Sequence, residues 1–215
     1  MRLHYRKYKE MALMIKIITE LQAIAQSGLA YSKDQFDIGR FNRILEIAAQ
    51  LFSEHSPHKY EEILALFTSS KGYATPKVDI RSAVFKEDKI LLVREKTDNL
   101  WSLPGGWADV NLTPAENALK EIKEEAGYEC KVINLIGIYD KNKNNDPLQW
   151  PYIYKIFFQC EVLSGPYPFD EGEIQEVGFF ALEEIPELSK ARVNYEQIEK
   201  CFLHYKQPQT KPYFE

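Results

Sequence analysis

The sequence predicts a chain in two parts, a small all-helical domain followed by an α/β domain. In the first part apolar residues recur at the spacing of amphipathic helices. In the second part short apolar runs separated by turns predict strands, with one well-delimited helix among them. Between the parts, residues 69–76 contain glycine, proline and small polar residues that break both periods. We therefore predict a helical domain over 1–70 and an α/β domain over 77–205.

Composition excludes several classes of protein. The 215 residues are 45% hydrophobic and 27% charged, which is typical of a globular protein and not of a disordered one. No apolar run approaches the roughly 20 residues that a membrane-spanning helix requires. The formal net charge of −5 provides no basic face for duplex nucleic acid. The three cysteines are odd in number and widely spaced, so they indicate a reducing cytoplasm and no disulfide framework.

Helices are predicted throughout the first domain. The residues at helical spacing in the first helix are Leu13, Ile17, Leu21 and Ile24. Gly28 should end this helix, because glycine commonly follows the last helical turn. A second helix is predicted from about Asp34 to Phe52, and Ser56-Pro57 predicts the start of a third. A unit of this size has little core of its own, so we expect it to join two chains as a homodimer.

Strands dominate the second domain. A hairpin is predicted from strands at 78–85 and 90–93, which the charged residues 86–89 connect. Further strands are expected at 132–139, 152–162 and 174–180. The chain should close with a helix at 191–204.

The helix that begins at Thr113 has a signal at each end. Thr113 is a suitable N-cap, and Pro114 occupies the first helical position. Glu116 stands three residues after the cap and completes a capping box, while Gly127 can adopt the left-handed conformation that ends a helix.

Glutamates gather on one face of this helix, and they are Glu121, Glu124 and Glu125. Like charges one turn apart destabilise a helix by a few tenths of a kcal/mol, about 0.2–0.5 per pair, unless a cation neutralises them. Carboxylate oxygens suit Mg²⁺ or Mn²⁺, which complete their coordination with water and phosphate. A solvated helix face is the alternative. The preceding loop, which contains Gly105 and Gly106, favours the metal because glycine lets the backbone approach a ligand closely.

Loop and helix together resemble the Nudix box. Its pattern runs from a glycine through five residues to a glutamate, and then through seven more residues to Arg-Glu. An aliphatic residue, any residue, Glu-Glu, any residue and a glycine follow. Gly106 opens the box, and Glu121 to Gly127 close it in register. Two positions depart from the pattern, because Leu112 replaces the first glutamate and Lys120 replaces the arginine. We expect Leu112 to turn toward the sheet or the helical domain, and Lys120 to pair with Glu116.

The helical domain, the linker over 72–79 and Gly105–Asp109 extend the resemblance to Nudix enzymes with an N-terminal helical module. That subgroup is labelled ADP-ribose pyrophosphatases and includes CDP-choline pyrophosphatases. The resemblance implies an α/β/α sandwich with a mixed sheet. It also implies that the three box glutamates bind Mg²⁺ or Mn²⁺, with the Gly105 carbonyl as a further ligand.

The resemblance implies a metal-dependent pyrophosphohydrolase acting on a nucleoside diphosphate linked to a small alcohol or sugar. A general base is expected in the loop before the last strand, where Glu173 is favoured over Glu171 and Glu176, unless the loop is simply solvated. Arg81 could bind phosphate or pair with Asp79. The aromatic residues that could stack on a base are Trp107, Trp150, Tyr152 and Tyr154, although aromatics on strands are more often core.

Two other functions are compatible with the same fold. A Nudix enzyme acting on RNA ends would require a basic groove, which the net charge does not indicate. A non-catalytic nucleotide sensor would have no use for Glu121, Glu124 and Glu125 together. Release of product in the presence of Mg²⁺ separates the enzyme from the sensor.

Overall fold

The structure is a computed structural model that describes residues 2–144 and 151–215. The described residues separate into two compact units. The first contains residues 2–76 and 151–152, and the second contains residues 77–144 and 153–215.

The first unit is a bundle of α1 (Arg2–Tyr31), α2 (Gln35–Ser53) and α3 (Tyr60–Ser69). Its core contains aliphatic residues of all three helices, including Ile18, Leu45 and Ile63. The rings of Phe52 and Phe67 pack edge to face, with their centroids 5.8 Å apart. The prediction that the first part of the chain is helical is therefore confirmed.

The predicted end of α1 at Gly28 is wrong, because the helix continues to Tyr31. A Cβ atom on Gly28 would lie 2.4 Å from the Cε1 atom of Phe41, which belongs to α2. The glycine therefore allows a close approach of two helices and does not terminate one. This contact joins residues that are distant in sequence, so the local pattern contained no sign of it.

One apolar stripe of α1 remains exposed. Leu13, Ile17 and Ile24, whose spacing predicted the helix, are 60%, 43% and 51% exposed. The same helix buries Ile15 and Ile18 in the core of the bundle. The helix therefore has two apolar faces, and the bundle covers one of them.

The second helix starts as predicted, with the Asp34 side chain capping the first turn of α2. The third starts later than predicted, because its N-cap is Lys59. The Lys59 N–H donates to the Glu62 carboxylate at 3.3 Å. Ser56 lies in the turn before α3, where its hydroxyl accepts a hydrogen bond from the His58 N–H at 3.3 Å.

The second unit is built on a mixed sheet. Its strands are β1 (Lys77–Lys86), β2 (Lys89–Glu95), β3 (Trp101–Ser102), β4 (Glu129–Asp140), β5 (Ile153–Ser164), β6 (Ile174–Phe180) and β7 (Tyr213–Phe214). The order is β3-β2-β1-β5-β4-β7, and β6 pairs with β2. Strands β1 and β5 run parallel, whereas β1–β2, β2–β6 and β4–β5 are antiparallel. The predicted hairpin and the strand at 174–180 are confirmed.

Helices cover both faces of this sheet, as an α/β/α sandwich requires. They are α4 (Pro114–Ala126) and α6 (Tyr195–Lys206), and the short α5 (Lys141–Asn144) directly follows β4. Successive residues of β1 face opposite ways, so Val84 packs with Ile122 of α4 while Phe85 packs with Phe202 of α6. Asn194 caps α6, which therefore begins later than predicted because a turn at Ser189 precedes it.

The three cysteines are free and buried. Cys130 and Cys160 lie on the neighbouring strands β4 and β5, and Cys201 lies in α6. Burial raises the pKa of the Cys130 and Cys160 thiols to about 12 and also raises that of Cys201. Within the described residues, no helix has the length and apolar character to cross a bilayer.

Candidate active site

The glycine loop lies along the first half of β1. The Ser82 N–H donates to the Pro104 carbonyl at 2.9 Å, and the Ile80 N–H donates to the Gly106 carbonyl at 2.8 Å. No group in the described part of the chain donates to the Gly105 carbonyl between them. This carbonyl is therefore left for a ligand.

Gly105 also joins the loop to the box helix. Its N–H donates to Oε2 of Glu125 at 2.8 Å. Its φ of +141° is rarely adopted by other residues, and an added Cβ would lie 1.9 Å from the Ile80 carbonyl oxygen. A Cβ on Gly106 would lie 3.3 Å from Oε2 of Glu121. Two glutamates of α4 therefore face the two glycines directly.

A cleft of about 580 Å³ opens between this loop, α4 and the ends of the neighbouring strands. Its acidic residues are Asp79, Glu95, Asp109, Glu121, Glu125 and Glu173. Its basic residues are Arg81, Lys120, Lys141 and Arg192. The cleft thus offers groups for a cation and groups for an anion.

The box glutamates differ in their surroundings. Burial raises the pKa of Glu125 to about 8, although the Gly105 N–H and Arg81 favour its charged form. Burial also raises the pKa of Glu121. Glu124 is about half exposed and does not line the cleft. The structure therefore brings two of the three predicted metal ligands into the cleft.

Lys120 forms an ion pair with Glu124, the glutamate that does not line the cleft. Its ammonium lies 2.8 Å from Glu124, 3.2 Å from Asp109 and 3.6 Å from Glu121. Hydrogen bonds to Glu124 and Asp109 raise the pKa of Lys120. The expected pair with Glu116 is wrong, because Glu116 is used in the capping box of α4. An ammonium among three carboxylates shows that this face attracts a cation.

Asn117 holds the segment between the glycines and the helix. It is 1% exposed, and its Oδ1 accepts the Asp109 N–H at 2.8 Å while its Nδ2 donates to the Thr113 carbonyl at 3.2 Å. Leu112 is 38% exposed and belongs to neither apolar cluster of the second unit, so the expectation that it turns toward the sheet is wrong. A contact with the helical domain stays a prediction. Asn117 and the Asp109–Lys120 pair therefore brace this segment.

We expect Asn117→Ala to lower the free energy of unfolding by about 1–3 kcal/mol, because it removes a buried side chain that hydrogen-bonds both the Asp109 N–H and the Thr113 carbonyl. Leu112→Ala should cost less than about 1 kcal/mol, since much of that side chain already meets water. Urea denaturation of both variants tests the difference. A larger loss in Leu112→Ala would show that the leucine, and not Asn117, fixes the segment.

The three candidates for the base are placed differently. Glu173 lines the cleft. Glu176 lies on β6 and pairs with Arg94 at 3.2 Å. Glu171 is exposed and is not among the residues that line the cleft. Of the three, Glu173 is the one that the structure brings to the box glutamates.

Arg81 is 6% exposed on β1. Its Nε donates to Oδ1 of Asp79 at 3.0 Å, and its Nη1 donates to the Leu103 carbonyl at 3.1 Å. Burial alone would lower the pKa of Arg81, but the carboxylates of Asp79 and Glu125 outweigh it and raise that pKa. The pairing with Asp79 that the sequence left open is therefore present, and phosphate binding by Arg81 stays a prediction.

The aromatic candidates also differ. Trp107 lines the cleft, is 52% exposed and lies beneath the Lys77 ammonium, which is 5.5 Å from the ring centroid. Tyr152 is 39% exposed and belongs to the first unit, so its contact with substrate stays a prediction. Tyr154 lies on β5 and is 44% exposed. Trp150 lies outside the described residues.

Comparison with known proteins assigns the family. Residues 75–201 match the NUDIX domain. The chain belongs to the Nudix family. Residues 14–67 match a domain described as UDP-X-like, N-terminal oligomerisation domain. The chain is thus a Nudix hydrolase with an N-terminal domain of this type.

The alignments of several relatives with this Nudix hydrolase cover most of its length or the full length of the relative. The Bacillus subtilis protein YjhB, provisionally named an ADP-ribose pyrophosphatase, is 40% identical over 94% of this chain and 100% of its own. A crystal structure of a UDP-X diphosphatase is 33% identical with a TM-score of 0.61, covering 95% of this chain and 99% of that one. An ADP-ribose pyrophosphatase from Streptococcus suis is 40% identical with a TM-score of 0.59, covering 66% of this chain and 100% of that one.

Two basic residues were missed by sequence reasoning, one lining this Nudix cleft and one buried beside it. Arg192 pairs with Glu95 and, at 2.7 Å, with Asp98, although nearly a hundred residues separate them. Lys155 is 1% exposed and lies 3.4 Å from Asp79. A lysine at an inward position of an otherwise apolar strand was the available signal for Lys155. Arg192 carried no comparable signal.

Proposed function

We propose that this Nudix hydrolase is a metal-dependent pyrophosphohydrolase that cleaves nucleoside diphosphates linked to a sugar or small alcohol. Its products are a nucleoside monophosphate and the phosphorylated remainder. The hydrogen bond from the Gly105 N–H to Glu125 carries the proposal, because it places a loop that can approach phosphate beside the acidic cluster. The relatives named for ADP-ribose and UDP-X support this class of substrate. ADP-ribose and CDP-choline are the leading substrates.

The metal would be Mg²⁺ or Mn²⁺, held by Glu121, Glu124, Glu125 and the Gly105 carbonyl. These hard oxygen donors fit such an ion, and the Gly105 carbonyl has no donor within the described residues. In the described part of the chain no three His, Cys, Asp or Glu side chains already form a metal-binding group. Glu124 would therefore exchange Lys120 for the cation. When bound, the cation would neutralise phosphate oxygens and lower the pKa of a water ligand.

The remaining cleft residues would act on water and substrate. Glu173 would accept the proton of the attacking water, since it lines the cleft from the loop before β6. Arg81 would bind a phosphoryl group through a charge-assisted hydrogen bond. Trp107 offers an exposed ring on which a nucleobase could stack.

The test is a comparison of kcat/KM for CDP-choline, ADP-ribose and UDP-sugars with the purified chain in Mg²⁺ or Mn²⁺. We expect a nucleoside monophosphate from at least one compound, and none in EDTA. In ¹⁸O-labelled water, the label should enter one of the two phosphorylated products. Absence of product from every compound in both metals would reject the function.

We also propose that the helical domain joins two chains. The exposed stripe formed by Leu13, Ile17 and Ile24 supports this, because a monomer leaves these large apolar side chains in water. The match of residues 14–67 to an oligomerisation domain supports it as well. A second copy burying the same stripe would form a symmetric dimer.

We expect the Ile17→Lys, Ile24→Lys double variant to be monomeric by light scattering where the wild type is a dimer. Both positions are exposed within the chain, so the bundle core should not change. Ile133→Lys, at a 48% exposed position on β4, is the matched control and should remain dimeric. A double variant with unchanged mass would place the interface elsewhere.

A further inference from the structure

The basic residues of the cleft differ in how far their donors are already used. Lys120 contacts three carboxylates. Arg192 uses both terminal nitrogens, on Glu95 and Asp98. The Lys141 ammonium makes no hydrogen bond or ion pair with any residue that the structure describes. Lys141 is therefore one cation of the cleft with donors to spare.

Arg81 is the other. Its Nε and Nη1 are fixed by Asp79 and the Leu103 carbonyl, whereas its Nη2 has no partner within residues 2–144 and 151–215. The side chain is 7% exposed and lines the cleft. Its guanidinium is thus held in one orientation with one nitrogen uncommitted. Such a group suits a phosphate oxygen, because a fixed guanidinium loses little freedom on binding.

A buried ion pair beneath the cleft holds Arg81 in place. Asp79 and Lys155 are direct neighbours on the parallel strands β1 and β5. Oδ1 of Asp79 accepts from Arg81, while Oδ2 lies 3.4 Å from the Lys155 ammonium. Lys155 also donates to the carbonyls of Ala191 and Arg192. The carboxylate that orients Arg81 is therefore itself fixed from its other side.

The Asp79 carboxylate acts on three basic side chains, those of Arg81, Lys141 and Lys155. Glu125 and Glu95 also attract the Arg81 guanidinium. Burial, opposed by the Asp79 carboxylate and assisted by the nearby Arg81 and Lys141, lowers the pKa of Lys155 to about 7. Burial lowers the pKa of Lys141 as well. Buried cations of this kind call for an anionic partner.

We propose that Arg81 and Lys141 form a subsite for one phosphoryl group of the substrate, and that Lys155 is a positioning residue that holds Arg81 through Asp79. The inference rests on the proposed function, because the ligand is the diphosphate of the same substrate. The box glutamates and the cation they bind would take up the remaining phosphate oxygens. In this arrangement the box glutamates would hold the metal, and Arg81 and Lys141 would contact the phosphoryl group directly.

The first test measures binding of α,β-methylene-ADP, which cannot be hydrolysed at the bridging position, by isothermal titration calorimetry in Mg²⁺. Lys141→Ala should weaken binding about tenfold or more, since it removes a charge-assisted contact. Lys143→Ala is the matched control, because Lys143 lies on the same short helix, is exposed and does not line the cleft. It should change the affinity less than about threefold. Equal losses in both variants, or no loss in Lys141→Ala, would overturn the subsite.

The second test concerns Lys155. Lys155→Met should weaken binding of the analogue and raise KM for the substrate while kcat changes little, because Arg81 loses its fixed orientation. A variant that melts lower but binds as tightly as the wild type would show a merely structural role and overturn the positioning role. If Lys155→Met does not fold, Asp79→Asn carries the same expectation, since it keeps the shape of the side chain and removes its charge.

The outcomes separate this inference from the proposed function. A wild-type enzyme that binds the analogue but hydrolyses nothing contradicts the proposed function alone. An enzyme that hydrolyses its substrate, with the same KM in Lys141→Ala, contradicts the subsite alone. A wild type that does not bind α,β-methylene-ADP at all also overturns the subsite.

Discussion

Replacing Glu125 with glutamine is expected to lower kcat by at least about a hundredfold while the fold stays intact. The amide keeps an oxygen that can accept the Gly105 N–H, so the loop contact survives while the charge is lost. Glu124→Gln should behave similarly, although that side chain is about half exposed. Steady-state kinetics with Mg²⁺ and circular dichroism measure both effects.

Glu161→Gln is the control for these variants, because Glu161 is an exposed glutamate on β5 that pairs with Lys131. It should retain wild-type kcat. Near-normal activity in both Glu124→Gln and Glu125→Gln would remove these residues from the metal site.

The same Glu125 variant has an expected effect on stability in EDTA. The folded protein retains a proton on Glu125 up to pH about 8, whereas an ordinary glutamate loses it near 4.5. Because the folded state binds more protons between these values, this group makes stability fall as pH rises from 4.5 to about 8. Glu125→Gln should therefore melt at or above the wild-type temperature at pH 8. A lower melting temperature would show that the charged form stabilises the metal-free fold.

Gly105→Ala is expected to lower the free energy of unfolding by about 2 kcal/mol or more and to abolish most activity. The added Cβ would lie 1.9 Å from the Ile80 carbonyl oxygen, at a φ of +141° that alanine rarely adopts. The loop would have to leave β1, and the contact between Gly105 and Glu125 would be lost. Urea denaturation and kcat measure the two effects.

Gly72→Ala separates backbone strain from the clash. Gly72 also has a positive φ, of +87°, but a Cβ there meets nothing within 4 Å. It should cost less stability and leave activity unchanged. If Gly105→Ala were as stable and active as Gly72→Ala, the close approach of the loop to β1 would not matter to the site.

Elements with local signals could be predicted from the sequence. The box helix starts at Pro114 and ends before Gly127, because Thr113, Glu116 and Gly127 lie next to the backbone groups that they satisfy. The end of α1 could not be predicted in this way. Gly28 has the sequence signal of a helix end, but its reason is the ring of Phe41 on another helix.

In the candidate site, too, features with a local signal could be predicted and features that depend on long-range contacts could not. The spacing of Glu121, Glu124 and Glu125 is a property of one helix, so it was visible in the sequence. The contacts of Asp79 with Lys155 depend on the parallel pairing of β1 and β5, which brings together residues far apart in the chain. Of the partners of Lys120, Asp109 reaches it only when the loop folds back, whereas Glu124 lies one turn along the same helix and was a local alternative to Glu116.

The buried cysteines make this chain convenient for site-specific labelling. A thiol reacts with maleimide as the thiolate, and burial both shields Cys130, Cys160 and Cys201 and raises their pKa values. A cysteine introduced at an exposed position such as Lys143 would react far faster than these three. A fluorophore could then be attached beside the cleft of the otherwise unaltered protein, and its emission could report ligand binding directly.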